Sequence, residues 1–121
     1  MTRIIAAAVA FTLIGLRAYS APPAAGTEDW LVMHEYREWI EGQHSASGNW
    51  CCTIADGRPV QARIVGTHWQ VFVTEAKFPN SPEGWADVPD ALVIRGANPV
   101  GVPIAWVLDG RVLCFAPASA S

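Results

Sequence analysis

Charge is scarce in this chain. Only 16% of its 121 residues are charged, with 8 Lys and Arg against 11 Asp and Glu. A general nucleic-acid binder needs a basic footprint, so the formal net charge of −3 excludes that class. No apolar run reaches the roughly 20 residues that span a bilayer. HExxH, GxSxG and glycine-rich phosphate loops are all missing, so the chemistries those motifs carry have no anchor here. There is no internal repeat and no low-complexity tract. Cysteine is limited to Cys51, Cys52 and Cys114, and an odd count leaves at least one thiol free or paired outside the chain.

What is abundant is apolar. Hydrophobic residues make up 51% of the sequence, which excludes an ordinary disordered chain, and the length fits one small domain. Residues 4–16 are almost wholly apolar and uncharged, Arg3 precedes them, and the small residues Ala18 and Ser20 follow. A basic start, a short apolar run and a small-residue site describe a secretory signal peptide over 1–20, cut after Ser20. Kept uncut, the same run would be an anchor with Arg17 at its end. Cleavage leaves no membrane segment and places the rest in the periplasm or outside the cell, where disulfides are allowed. Residues 21–57 hold six acidic groups and one basic; residues 58–121 hold five of each, so the net charge sits at the front.

Residues 21–26 form a Pro/Ala linker, and 27–121 a single small domain. Thr27 is a helix cap with Glu28 and Asp29 in the first turn. Val32, Met33, Tyr36, Trp39 and Ile40 recur at helical spacing, which predicts one amphipathic helix over 28–41, stopped by Gly42. Val60–Thr74 is a hairpin about Gly66-Thr67, pairing Val65 with His68. That register puts Val60, Ala62, Ile64, Trp69, Val71 and Val73 on one face. Gln61, Arg63, His68, Gln70 and Phe72 fall on the other. Trp85–Val88 is a short strand ended by Pro89. Ile104–Ala116 is a second hairpin about Asp109-Gly110. Its unbroken register sets Ile104, Trp106, Leu113 and Phe115 against Ala105, Val107, Val112, Cys114 and Ala116, so both faces are apolar and both should be buried. The expected fold class is α+β: an N-terminal amphipathic helix packed on a small antiparallel sheet or partly open β-barrel.

Cys51-Cys52 is the most unusual feature. It reads either as a redox or metal-binding thiol pair or as two cysteines with separate structural partners. Adjacent cysteines rarely bond each other, because the small ring strains the peptide between them. The two-residue gap of redox enzymes does not occur. His34, His44 and His68 could join the thiols as zinc or copper ligands, but no pair of them has a recognised ligand spacing. His34 and Glu38 lie one helical turn apart and read as a helix pair. No catalytic, cofactor-binding or metal-ligating set is therefore expected. Six tryptophans are present. Trp39, Trp69 and Trp106 sit on apolar faces and read as core; Trp30, Trp50 and Trp85 flank elements and are free to meet a sugar, a peptide or a protein.

His34, Tyr36, Cys51-Cys52, Asp56, Arg58-Pro59, Trp69, Trp85, Val88-Pro89, Asn98-Pro99 and Cys114-Phe115 together carry a resemblance. The chain resembles a family of short exported proteins of unknown function from alphaproteobacteria and their phages. That family runs from Cys-Cys through Asp-Cys to a final Cys-Phe. Here Gly57 replaces the middle Cys. The resemblance implies a disulfide-stapled exported domain and brings no activity with it. On the strand reading, Cys114 bonds Cys51 or Cys52 and the other thiol is free; Gly57→Cys would restore a second bridge. The function expected is a non-enzymatic binding or interaction module of the cell envelope, its partner an envelope or extracellular protein or glycan. The alternative is a periplasmic metal-binding or redox protein using the Cys pair and the histidines.

Overall fold

The computed structural model describes residues 23–51 and 57–118. The expected signal segment, the start of the linker and Cys52 lie outside them. The chain runs α1 (Glu28–Glu35), α2 (Arg37–Glu41), β1 (Gly57–Pro59), β2 (Ala62–Val65), β3 (His68–Val73), β4 (Gly84–Val88), a 3-10 turn at Asp90–Leu92, β5 (Ile104–Leu108) and β6 (Arg111–Ala116). Two open antiparallel sheets result, ordered β1-β5-β6 and β2-β3-β4. The molecule is therefore mostly β.

A single amphipathic helix over 28–41 is not supported. Tyr36 leaves the helical region (φ −107°, ψ 19°) and splits the segment into two short helices. Thr27 Oγ1 accepts from the Trp30 amide at the front, and Gly42 follows the second piece. The physical reason is twofold. Aromatic and β-branched residues crowd the segment and hold a helix only weakly. Its apolar residues also surround the axis, so Leu31 is left exposed while only Met33 and Ile40 are buried.

The first hairpin has the expected register, with Val65 opposite His68 and Ala62 opposite Val71. Gly66 at φ 62° opens its two-residue turn, the conformation that a twisted hairpin needs there. Ile64, placed on the apolar face, is nevertheless 61% exposed, because it lies at the outer margin of the sheet. Trp85–Val88 extends by one residue to Gly84 and pairs with β3.

The second hairpin departs from its unbroken register. Leu108 faces Arg111 and Val107 faces Val112, but Trp106 then faces Cys114 and Ala105 faces Phe115. Leu113 is the extra residue of a bulge. This moves Cys114 and Ala116 to the face of Ile104 and Trp106, and Phe115 to that of Ala105 and Val107. Each face then has its own core. Ile104, Trp106, Cys114 and Ala116 pack with Met33, Ile40, Cys51 and Ile94. Ala105, Val107 and Phe115 pack with Val71, Val73 and Val88 of the other sheet and with Val60 and Phe78 from the connecting segments. The β5–β6 hairpin is the middle layer and is buried on both sides.

One stretch joins the sheets. After β1 pairs with β5, the Val60 amide still donates to Pro103 O (3.0 Å), while Gln61 O accepts from the Phe72 amide (2.9 Å). Residues 57–65 thus leave one sheet and enter the other at Val60-Gln61. The outer side of β6 is met by Val93, and the Ile94 amide donates to Phe115 O at 2.7 Å.

Candidate functional site

Two of the three cysteines are structural. Cys51 and Cys114, both fully buried, form a disulfide with Cα atoms 5.5 Å apart. Of the two pairings open in the sequence, Cys51–Cys114 is the one found; the expected free thiol, Cys52, lies outside the described residues. A side chain at position 57 would press on its neighbours, the flexible end of Met33 first. A Cβ there would stand 2.9 Å from Met33 Cε and 3.0 Å from Trp106 Nε1. The three histidines are scattered. His34 stacks on Trp30 (ring centroids 4.0 Å apart), His44 Nδ1 meets Gly42 O, and His68 pairs with Asp87. Among the described residues, no three His, Cys, Asp or Glu side chains are grouped so as to hold a metal ion.

The residues that do come together lie on the outer face of β2-β3-β4. Strand alternation turns Ala62, Trp69, Val71, Ala86 and Val88 towards the inner core. The same alternation turns Arg63, His68, Gln70, Phe72, Trp85 and Asp87 outward. Register then aligns them: Arg63 faces Gln70, Gln70 faces Asp87, and Phe72 faces Trp85. Arg63 Nε donates to Gln70 Oε1 (2.9 Å), and Gln70 Nε2 donates to Asp87 Oδ1 (2.7 Å). His68 Nε2 reaches the same oxygen at 3.1 Å. The Arg63 guanidinium lies 4.0 Å over the Trp85 ring, and Phe72 meets that ring edge-on with centroids 5.2 Å apart. The Gln70 amide, and after it the His68 ring, hold the Asp87 carboxyl below its usual value of 3.8. The charged form is therefore favoured. Trp85 remains 38% exposed, so the array is ordered yet open to solvent.

This geometry suits recognition. Gln70 is engaged at both its oxygen and its nitrogen, while Arg63 and Asp87 each keep a further edge towards solvent beside an exposed aromatic ring. Trp85 is exposed as the sequence suggested, whereas Trp39 and Trp69 are only half-buried and Trp106 alone of the three core tryptophans is fully enclosed. Sequence reasoning passed over Asp87. Its signal was the alternation of Trp85 and Asp87 with Ala86 and Val88.

A second polar cluster ties α1 to β1. Lys77 Nζ donates to Pro59 O (2.6 Å) and pairs with Asp29 (3.3 Å). The buried Arg58 donates from Nη1 to Gly57 O at 2.7 Å. Both line a cleft of about 470 Å³ with Thr27, Glu28 and Pro79. Lys77 spends its charge on bonds within the fold, which makes this cluster a brace. Neither Lys77 nor Asp29 carried a motif that marked it beforehand. Compared with known family models, curated proteins and solved structures, the chain has no match.

Proposed function

We propose that this protein is a non-enzymatic binding module of the cell envelope, exported to the periplasm or beyond. It engages an envelope or extracellular protein or glycan through the outer face of β2-β3-β4. The observation that carries this reading is the ordered, solvent-facing array of Arg63, Gln70, Asp87 and His68 beside Trp85 and Phe72. Fixed side chains lose little freedom on binding, so such a face is preorganised. Export is supported by the basic, apolar and small-residue pattern of residues 3–20 and by a buried disulfide, which persists in oxidising compartments. Among the described residues, no helix is long and apolar enough to cross a membrane. Membership of the family of short exported proteins belongs to the same proposal; Cys51 and Cys114 stand at two of the positions that carry the likeness.

The metal or redox alternative has less beneath it. Cys51 is closed in a buried disulfide, and His34, His44 and His68 each keep a different neighbour. Stoichiometric zinc or copper in protein purified from the periplasm would favour it. The binding reading is tested by capture from an envelope extract with wild-type protein and Trp85→Ala. We expect the variant to fold and to lose a specific partner by about tenfold or more, as for an aromatic hot spot. Equal capture by both would overturn the assignment of this face.

A further inference from the structure

We infer that the outer face of β2-β3-β4 is a subsite for a carboxylated saccharide, a sugar of the uronic-acid type whose carboxylate docks on Arg63. The inference rests on the binding reading above and names the ligand class for the same face.

Arg63 is held at two points. Its Cζ lies over the Trp85 ring, 4.0 Å from the ring centroid, and Nε donates to Gln70 Oε1 at 2.9 Å. Gln70 is itself fixed by its bond to Asp87. Among the described residues, the two Nη groups of Arg63 carry no hydrogen bond. A guanidinium fixed through Nε and its face presents its Nη edge as a ready fork, the geometry that takes a carboxylate in two parallel bonds. The freedom a surface arginine would lose on binding is already lost.

The rest of the face decides what bears the carboxylate. Arg63 covers one face of Trp85, which stays 38% exposed; the uncovered part of that ring and the neighbouring Phe72 supply the aromatic surface for the C–H side of a pyranose ring. Asp87 uses Oδ1 for both Gln70 and His68, which leaves Oδ2 to accept from hydroxyl groups. Arg63 and Asp87 stand two strands apart, but their head groups are bridged by the single Gln70 amide (2.9 and 2.7 Å), a span of roughly one pyranose ring. A carboxylate at one end and hydroxyls at the other match that polarity. A nucleic acid would need a row of cations along its backbone, whereas this face sets Arg63 beside the carboxylate of Asp87. A docked helix would need an apolar groove, whereas this face offers planar polar groups around one aromatic pair.

The test uses oxidised, processed protein recovered from the periplasm and a short oligogalacturonate as probe. Binding is followed by tryptophan fluorescence and checked by calorimetry. The methyl ester of the same oligomer serves as the neutral control, so one comparison needs no variant. Loss of one charge-assisted contact predicts at least about tenfold weaker binding for the ester and for Arg63→Gln. Arg63→Lys keeps the charge but not the fork and should recover only part of the affinity. The inference is overturned by no binding of the acid form, by equal binding of the ester, by an unaffected Arg63→Gln, or by tighter binding of a glutamate-rich peptide. If Trp85-dependent capture from the envelope persists while the oligogalacturonate fails, only the ligand class falls. If both fail, the binding reading falls with it.

Discussion

Gly57 shows how one small residue fixes the packing around it. A Cβ placed on it would meet Met33 Cε and the indole of Trp106, and Trp106 is fully buried. The indole N–H is buried and has no hydrogen-bond partner among the described residues. Such a buried donor is costly, and the packing of the whole ring must offset it. A methyl group at position 57 would force Met33 and Trp106 to move. Gly57→Ala should therefore destabilise the protein by about 1–3 kcal/mol, the usual range for overpacking. Urea unfolding would measure it, and a change within experimental error would show that the ring can shift freely.

The elements differ in how plainly their sequence announces them, and the outer sheet face gives the sharpest check. Asp87 is held below 3.8 chiefly by the Gln70 amide and then by His68. Removing the first donor with Gln70→Ala should raise its titration midpoint towards the ordinary value, as read by NMR of the side-chain carboxyl. The lowered folded value favours the carboxylate, so its contribution to stability is present above pH 3.8 and fades as pH falls through the folded midpoint. This cross-strand array was legible in outline. Gly66-Thr67 fixed the turn, and a two-residue period placed Arg63, His68 and Gln70 together. The bulge at Leu113 was not legible. Val112, Leu113, Cys114 and Phe115 are all compatible with either face, so no polar residue marked the slip. The break at Tyr36 was hidden for a related reason: Trp30, Leu31, Val32 and Met33 are contiguous, and the helical spacing could be read through any of them. Lys77 and Asp29 meet only because the fold joins segments 48 residues apart.

At the scale of the molecule, the Cys51–Cys114 bond spans 63 positions. On the chain-entropy view, a loop of that length contributes about 4 kcal/mol by restricting the unfolded chain. A typical domain has a total stability of about 5–15 kcal/mol, so this bond is a large fraction of it. Reduction should lower the unfolding free energy by about that amount, measured by denaturant titration with and without reductant. Cysteines that resist reductant until the domain unfolds would agree with their full burial; rapid reduction of the native protein would contradict it.

The central placement of β5–β6 also governs when the molecule can form. β1 has β5 as its partner, Cys51 has Cys114, and Met33 and Ile40 have Trp106 and Ile104. A chain delivered N-terminus first therefore waits for its final hairpin before its front section can take hold. Until then only the β2-β3-β4 meander has local pairings to make. The β2-β3-β4 sheet is the earlier of the two able to assemble, and the layer that secures the other arrives last.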